Sequence, residues 1–158
     1  GLNAISKLKP IFTTIHISGG DDMQKISISK NNKKTKILGV TILTSLDEKQ
    51  TFKYYKEKNV KILVKKFASF AKKNNLSGLV CSPLEINIIR KEVGKNMTLV
   101  VPGIRTEKKS LDKKDDQKRT LTPKEAIDLG ADFLVIGRPI IESKNPLQTI
   151  KEINQSIQ

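Results

Sequence analysis

The sequence predicts an α/β fold built on a parallel β-sheet. Three observations predict it. Five short apolar runs recur along 158 residues, amphipathic stretches separate them, and several of those stretches open with helix-capping signals. Strands that alternate with helices imply parallel pairing.

The five runs are residues 11–15 (Ile-Phe-Thr-Thr-Ile), 37–43 (Ile-Leu-Gly-Val-Thr-Ile-Leu), 79–81 (Leu-Val-Cys), 98–101 (Thr-Leu-Val-Val) and 133–136 (Phe-Leu-Val-Ile). Each is too short for a helix, rich in β-branched residues and nearly continuous. Parallel strands buried on both faces read that way. Between them, Val60, Val64, Phe67 and Ala71 fall on one helical face. Leu84, Ile88 and Val93 repeat the pattern roughly, and Leu147, Ile150, Ile153 and Ile157 make a stripe on a final helix.

Helix starts are marked. Ser82-Pro83-Leu84-Glu85 and Thr122-Pro123-Lys124-Glu125 combine a hydroxyl N-cap, proline at the first helical position and glutamate at the third. Ser45-Leu46-Asp47-Glu48 is a third such box without the proline, and Asn145-Pro146 opens the last helix.

Composition narrows the class. The length fits a single domain, residues 1–158, with a real core. With 37% hydrophobic and 29% charged residues, a soluble globular protein is expected rather than a disordered one. No apolar run nears the ~18–20 residues that span a bilayer. No signal-peptide pattern stands at Gly1, so a cytoplasmic location is the expectation. Cys81 is the sole cysteine, which rules out an internal disulfide and a cysteine zinc site. Within its apolar run it reads as a buried, inert thiol. The net charge of +14 invites a nucleic-acid reading. Against it, the lysines are spread along the chain and aromatic residues for base stacking are only 4%. The excess fits attraction toward a phosphorylated small molecule better, so no nucleic-acid partner is expected.

In such folds ligands sit beyond the C-terminal ends of the strands. After the first strand come His16 and then Gly19-Gly20, where glycine permits close backbone approach. His16, the only histidine, reads as a structural hydrogen-bonding residue before a pocket acid or base, and alone it makes no metal site. After the second strand, Thr44 and Ser45 offer hydroxyls, with turn chemistry an equal reading. Pro102-Gly103-Ile104-Arg105 follows the fourth strand and leads into a long lysine-rich stretch, residues 106–120, which contains Gln117. A loop of that length reads as a lid or a solvated surface loop. After the fifth strand, Gly137 presents a backbone N–H and Arg138 a guanidinium suited to bidentate contact with a phosphate. In (β/α)₈ barrels the loops after the last two strands often hold phosphate. On that reading Arg105, Gln117, Gly137 and Arg138 converge on one anion. The pattern alone does not choose between a barrel and an open sheet. No Gly-x-Gly-x-x-Gly follows the first strand, which weakens a dinucleotide fold. A barrel needs eight units and typically ~250 residues, whereas five are legible here.

Several segments resemble the C-terminal part of orotidine 5′-phosphate decarboxylases. They are Val101-Pro102-Gly103-Ile104-Arg105, Asp116-Gln117-Lys118-Arg119, Leu121-Thr122-Pro123, Gly130-Ala131-Asp132, and residues 135–140 (Val-Ile-Gly-Arg-Pro-Ile). Also similar are Ile15-His16 with Gly19-Gly20, residues 40–45 (Val-Thr-Ile-Leu-Thr-Ser) and Val80-Cys81-Ser82. The resemblance implies a (β/α)₈ TIM barrel of which this chain supplies strands four to eight. It implies that Arg138 and the Gly137 amide hold the 5′-phosphate and that Arg105 binds nearby. Gln117 on a mobile loop would bridge phosphate and pyrimidine, and Thr44 and Ser45 would contact the ring. It implies no metal or cofactor, orotidine and uridine 5′-phosphates as ligands, and a homodimer with sites at its interface.

The family's Asp-x-Lys-x-x-Asp array, at the end of the third strand, has no counterpart here. Asp47-Glu48-Lys49 and the aspartates at 112–116 lack its spacing. Removal of carbon dioxide leaves a carbanion that a placed lysine must stabilise and protonate. The expectation is therefore a fragment carrying the phosphate- and pyrimidine-binding half, inactive and aggregation-prone by itself, with no catalytic residue of its own. Competing readings are another phosphate-binding barrel of the hexulose-phosphate synthase or ribulose-phosphate epimerase type, and a non-catalytic nucleotide-phosphate-binding remnant.

Overall fold

A computed structural model of the chain describes residues 1–29, 34–43, 46, 48–105 and 120–158. The element order is α1 (Leu2–Ser6), β1 (Phe12–His16), α2 (Gly20–Ser29), β2 (Lys36–Val40), α3 (Glu48–Tyr55), α4 (Val60–Lys73) and β3 (Gly78–Val80). There follow α5 (Ile86–Val93), β4 (Thr98–Pro102), α6 (Pro123–Asp128), β5 (Phe133–Val135), α7 (Arg138–Ile141) and α8 (Pro146–Ser156). Short 3₁₀ turns at Ile17–Gly19 and Pro83–Glu85 precede α2 and α5.

All five expected strands form, and all pair in parallel in the order β1-β2-β3-β4-β5. Each strand therefore lies beside its neighbour in sequence, the commonest arrangement of consecutive elements. Register assigns the faces. His16, Val40, Val80, Val100 and Phe133 are linked pair by pair, and paired residues of parallel strands point the same way. The alternate residues Ile37, Leu79, Leu99 and Val101 point the other way and are fully buried in the main core. That core also takes Val60, Val64, Phe67 and Ala71 of α4, the four residues whose spacing predicts a buried stripe.

The other face is concave. The rings of Phe12 on β1 and Phe133 on β5, the two end strands, meet edge to face with centroids 5.1 Å apart. A flat five-stranded sheet would hold its end strands roughly 19 Å apart at the usual interstrand spacing. The sheet is thus curled into the greater part of a barrel, and the concave face is its lumen.

Two helical stripes differ from expectation. Leu84 lies in the 3₁₀ turn and is exposed, and Ile88 is half-buried. The buried face of α5 is Ile86, Ile89 and Val93, a shift imposed by the extra turn that proline starts. On α8 only Ile153 is buried; Leu147 and Ile150 are exposed and Ile157 is half-buried. The stripe is real, but little of the described chain covers it. The caps form as expected where described. Thr122 Oγ1 accepts from the Glu125 N–H (3.3 Å) while the Glu125 carboxylate accepts from the Thr122 N–H (2.9 Å). Asn145 Oδ1 accepts from the Gln148 N–H. At Ser82 only the return half is made: Glu85 accepts from the Ser82 N–H at 3.1 Å. The Glu85 N–H goes to the Ser82 carbonyl, and Ser82 Oγ, in capping position, is buried without a hydrogen bond. The cap expected at Ser45 falls outside the described residues.

Candidate active site at the carboxyl ends of the strands

Parallel pairing puts all five strand ends on one side of the molecule. Pro102 of β4 pairs with Val135 of β5. Arg105 and Arg138 each lie three residues beyond that pair, so two neighbouring strands deliver their guanidinium-bearing loops side by side. This juxtaposition is what the spacing predicts for an anion site.

Local geometry explains how the loops leave the sheet. Gly103 takes φ +83°, a left-handed conformation suited to glycine, and turns the chain sharply after β4. Ile104 is then fully buried and makes a parallel bridge with Leu121. The Arg105 N–H donates to the Leu121 carbonyl at 3.0 Å, so the two ends of the intervening stretch are pinned together. The half-buried Arg105 guanidinium donates back to the Ile104 carbonyl at 3.0 Å. After β5, Gly137 caps α7 and Arg138 is its first residue. A side chain at Gly137 would meet no atom within 4 Å, so the space before its backbone is open to a ligand.

The remaining candidates divide. His16 ends β1 on the lumen face, exposed, with no side-chain hydrogen bond among the described residues. The structural role expected for it is not seen. Gly20, at φ +85°, faces open space, whereas a side chain at Gly19 would collide with Met23. Only the second glycine offers an unobstructed approach. Thr44, Ser45 and Gln117 lie outside the described residues. Nearby, Thr41 Oγ1 is committed to the Val80 carbonyl at 3.2 Å. Cys81 points into the core and is buried; burial pushes its thiol well above the usual range, and the Glu85 carboxylate adds to this while Arg90 opposes it. That agrees with an inert thiol. Among the described residues, no cluster of three or more His, Cys, Asp or Glu could hold a metal, and no helix is long and apolar enough to cross a membrane.

What sequence reasoning missed is the polar clamp at the opposite ends of the strands. The Arg90 guanidinium donates to the carbonyls of Gly94 (3.0 Å), Met97 (2.8 Å) and Gly130 (2.8 and 2.6 Å) and to Asp132 Oδ2 (2.6 Å). Asp132 Oδ2 also accepts from the Leu99 N–H at 2.7 Å. Most of these partners are backbone carbonyls, which leave no trace in a pattern of side chains.

The model of the Orotidine 5′-phosphate decarboxylase / HUMPS family matches residues 3–153. The chain belongs to this family. A protein named orotidine 5′-phosphate decarboxylase from Wolbachia pipientis subsp. Culex pipiens (strain wPip) is 44% identical over 157 residues, covering 99% of this chain and 68% of its own length. One of the same name from Aquifex aeolicus (strain VF5) is 44% identical over 149 residues, 93% of this chain and 62% of its own. The crystal structure of orotidine 5′-phosphate decarboxylase from Lactobacillus acidophilus superposes with a TM-score of 0.80 at 29% identity, covering all of this chain and 68% of that one. The decarboxylase fold is a TIM barrel, and the five βα units here are an incomplete copy of it.

Proposed function

We propose that this chain carries the phosphate- and pyrimidine-binding half of an orotidine 5′-phosphate decarboxylase, which converts orotidine 5′-phosphate to uridine 5′-phosphate and carbon dioxide in pyrimidine biosynthesis. The carrying observation is the pairing of Pro102 with Val135, which sets Arg105 and Arg138 in adjacent loops beside an unobstructed Gly137 backbone. Arg138 and the Gly137 N–H hold the phosphate, with Arg105 close by. Gln117 joins as its loop closes, and Thr44 and Ser45 meet the pyrimidine ring. His16, Gly19 and Gly20 border the pocket. The names of the relatives at 37–44% identity favour the decarboxylase over the sugar-phosphate enzymes that share the fold.

Binding energy gathered at a phosphate remote from the reacting carbon organises the groups that do the chemistry. In this reading the lysine and aspartates of that chemistry lie outside the present sequence. The chain alone binds and does not turn over; the protein is cytoplasmic and works as a homodimer without cofactor, nucleic acid or membrane. Calorimetric titration with uridine 5′-phosphate tests the site. Binding that inorganic phosphate competes away supports it, and no binding at millimolar ligand removes it. Clear turnover of orotidine 5′-phosphate by the purified chain would refute the account of the absent lysine.

A further inference from the structure

We propose that His16 is a specificity-determining contact for the base: its imidazole hydrogen-bonds to the pyrimidine of a nucleotide whose phosphate rests at Gly137. The proposal deepens the function proposed above and rests on that placement of the phosphate.

Height in the lumen follows from one contact. Counted along the paired register, His16 of β1 is level with Phe133 of β5. Yet the ring that Phe133 meets across the lumen belongs to Phe12, four residues before His16. From β1 to β5 the strands are therefore staggered by four residues over four steps, one residue per step. That is the stagger of an eight-stranded barrel with shear 8. Alternate residues of a strand share a face, so Thr14 stands opposite Val135 and His16 opposite Gly137. The alternation runs past the end of β5: Phe133, Val135 and Gly137 are exposed, whereas Leu134 and Ile136 are half-buried. On β3, midway between, the same stagger puts Ser82 in the layer of His16 and Gly137.

Side-chain size falls from floor to rim. Two phenyl rings close the lumen at the level of Phe12, with centroids 5.1 Å apart. At the rim the imidazole faces a residue with no side chain, and a carbon built on Gly137 would find nothing within 4 Å. The half of the gap that Phe133 fills below is thus empty above, which leaves room for a ligand between His16 and the Gly137 amide. Ser82 is buried, so among the described residues of that layer His16 supplies the side chain that reaches this space.

Chemistry selects the base. A neutral imidazole offers one donor and one acceptor, which suits the carbonyl and N–H edge of a pyrimidine. His16 spends neither on the protein among the described residues. The phosphate lies against the opposite wall, near Arg105 and Arg138, while β2, the strand beside β1, delivers Thr44 and Ser45 to the ring in the function proposed above. A site that hydrogen-bonds the base in this way discriminates against sugar phosphates, which leave the imidazole unpaired.

His16 is the only histidine, so its imidazole Cε1–H gives one proton resonance in the 158-residue chain. At constant pH, uridine 5′-phosphate is expected to shift that resonance saturably, whereas inorganic phosphate and ribose 5-phosphate leave it in place. In calorimetry, His16→Ala should weaken uridine 5′-phosphate at least fivefold and leave the affinity for inorganic phosphate unchanged. His16→Gln, which keeps a neutral donor and acceptor, should recover most of the loss. A resonance that uridine 5′-phosphate does not move, or that ribose 5-phosphate or inorganic phosphate moves equally, overturns the proposal. So does an equal loss of both ligands in His16→Ala. If the unsubstituted chain binds neither ligand, the phosphate site proposed above fails and His16 falls with it; if it binds both while His16 stays silent, His16 alone is removed.

Discussion

At one end of the strands the chain is tied, and at the other it is open. Arg90 gathers three carbonyls and the Asp132 carboxylate at the amino ends of β4 and β5, and its side chain is only 14% exposed. Across the sheet, the carboxyl ends carry Gly20, Gly103 and Gly137, exposed His16, and two arginine-bearing loops. The same strands serve both ends, so the contrast lies in the loops. One set is knit by a single guanidinium buried among carbonyls, and the other brings two arginines and the open backbone at Gly137 to one side of the sheet. That is the division of labour expected of a barrel, stability at the bottom and chemistry at the top.

The sharpest way to break this contrast is Arg90→Ala. It strands Asp132 and several carbonyls, and should cost about 3 kcal/mol in urea denaturation, with affinity of the folded fraction for uridine 5′-phosphate unchanged. Gly78→Ala should cost about 2 kcal/mol, because the added carbon meets the Thr98 carbonyl and the Leu38 side chain. Arg138→Ala should do the opposite of both. Affinity for uridine 5′-phosphate should fall about tenfold or more, the ~1.5 kcal/mol of a charge-assisted contact, a larger effect than any on the urea midpoint. Lys124→Ala, which removes an exposed pair with Asp128 at 3.6 Å, should change stability by less than about 0.5 kcal/mol. A large loss of stability from Arg138→Ala, or of ligand affinity from Arg90→Ala, would erase the distinction between the two ends.

Much of the fold is legible in the residues. Strands buried on both faces announce themselves as continuous β-branched runs, and α4 shows its stripe because one helix face meets one sheet. Legibility fails where a neighbour decides the outcome. Leu84 looks like a core residue by spacing, yet Pro83 places it in a 3₁₀ turn whose geometry points it outward. Leu147 is amphipathic by pattern but exposed, since little of the described chain packs on it. In the site, Arg105 and Arg138 can be found because strand ends fix where loops begin. Arg90 cannot be picked from thirty Lys and Arg residues, because its partners are mostly carbonyls brought close only by folding.

Neighbours in space are neighbours in sequence throughout this sheet. Each ladder nevertheless joins residues 20 to 40 positions apart, as in Gly78↔Thr98 and Leu38↔Gly78, because a helical crossover lies between paired parallel strands. Growth by whole βα repeats at either margin needs no rethreading of what is already built. Such an architecture lends itself to being made, divided or extended in modular steps.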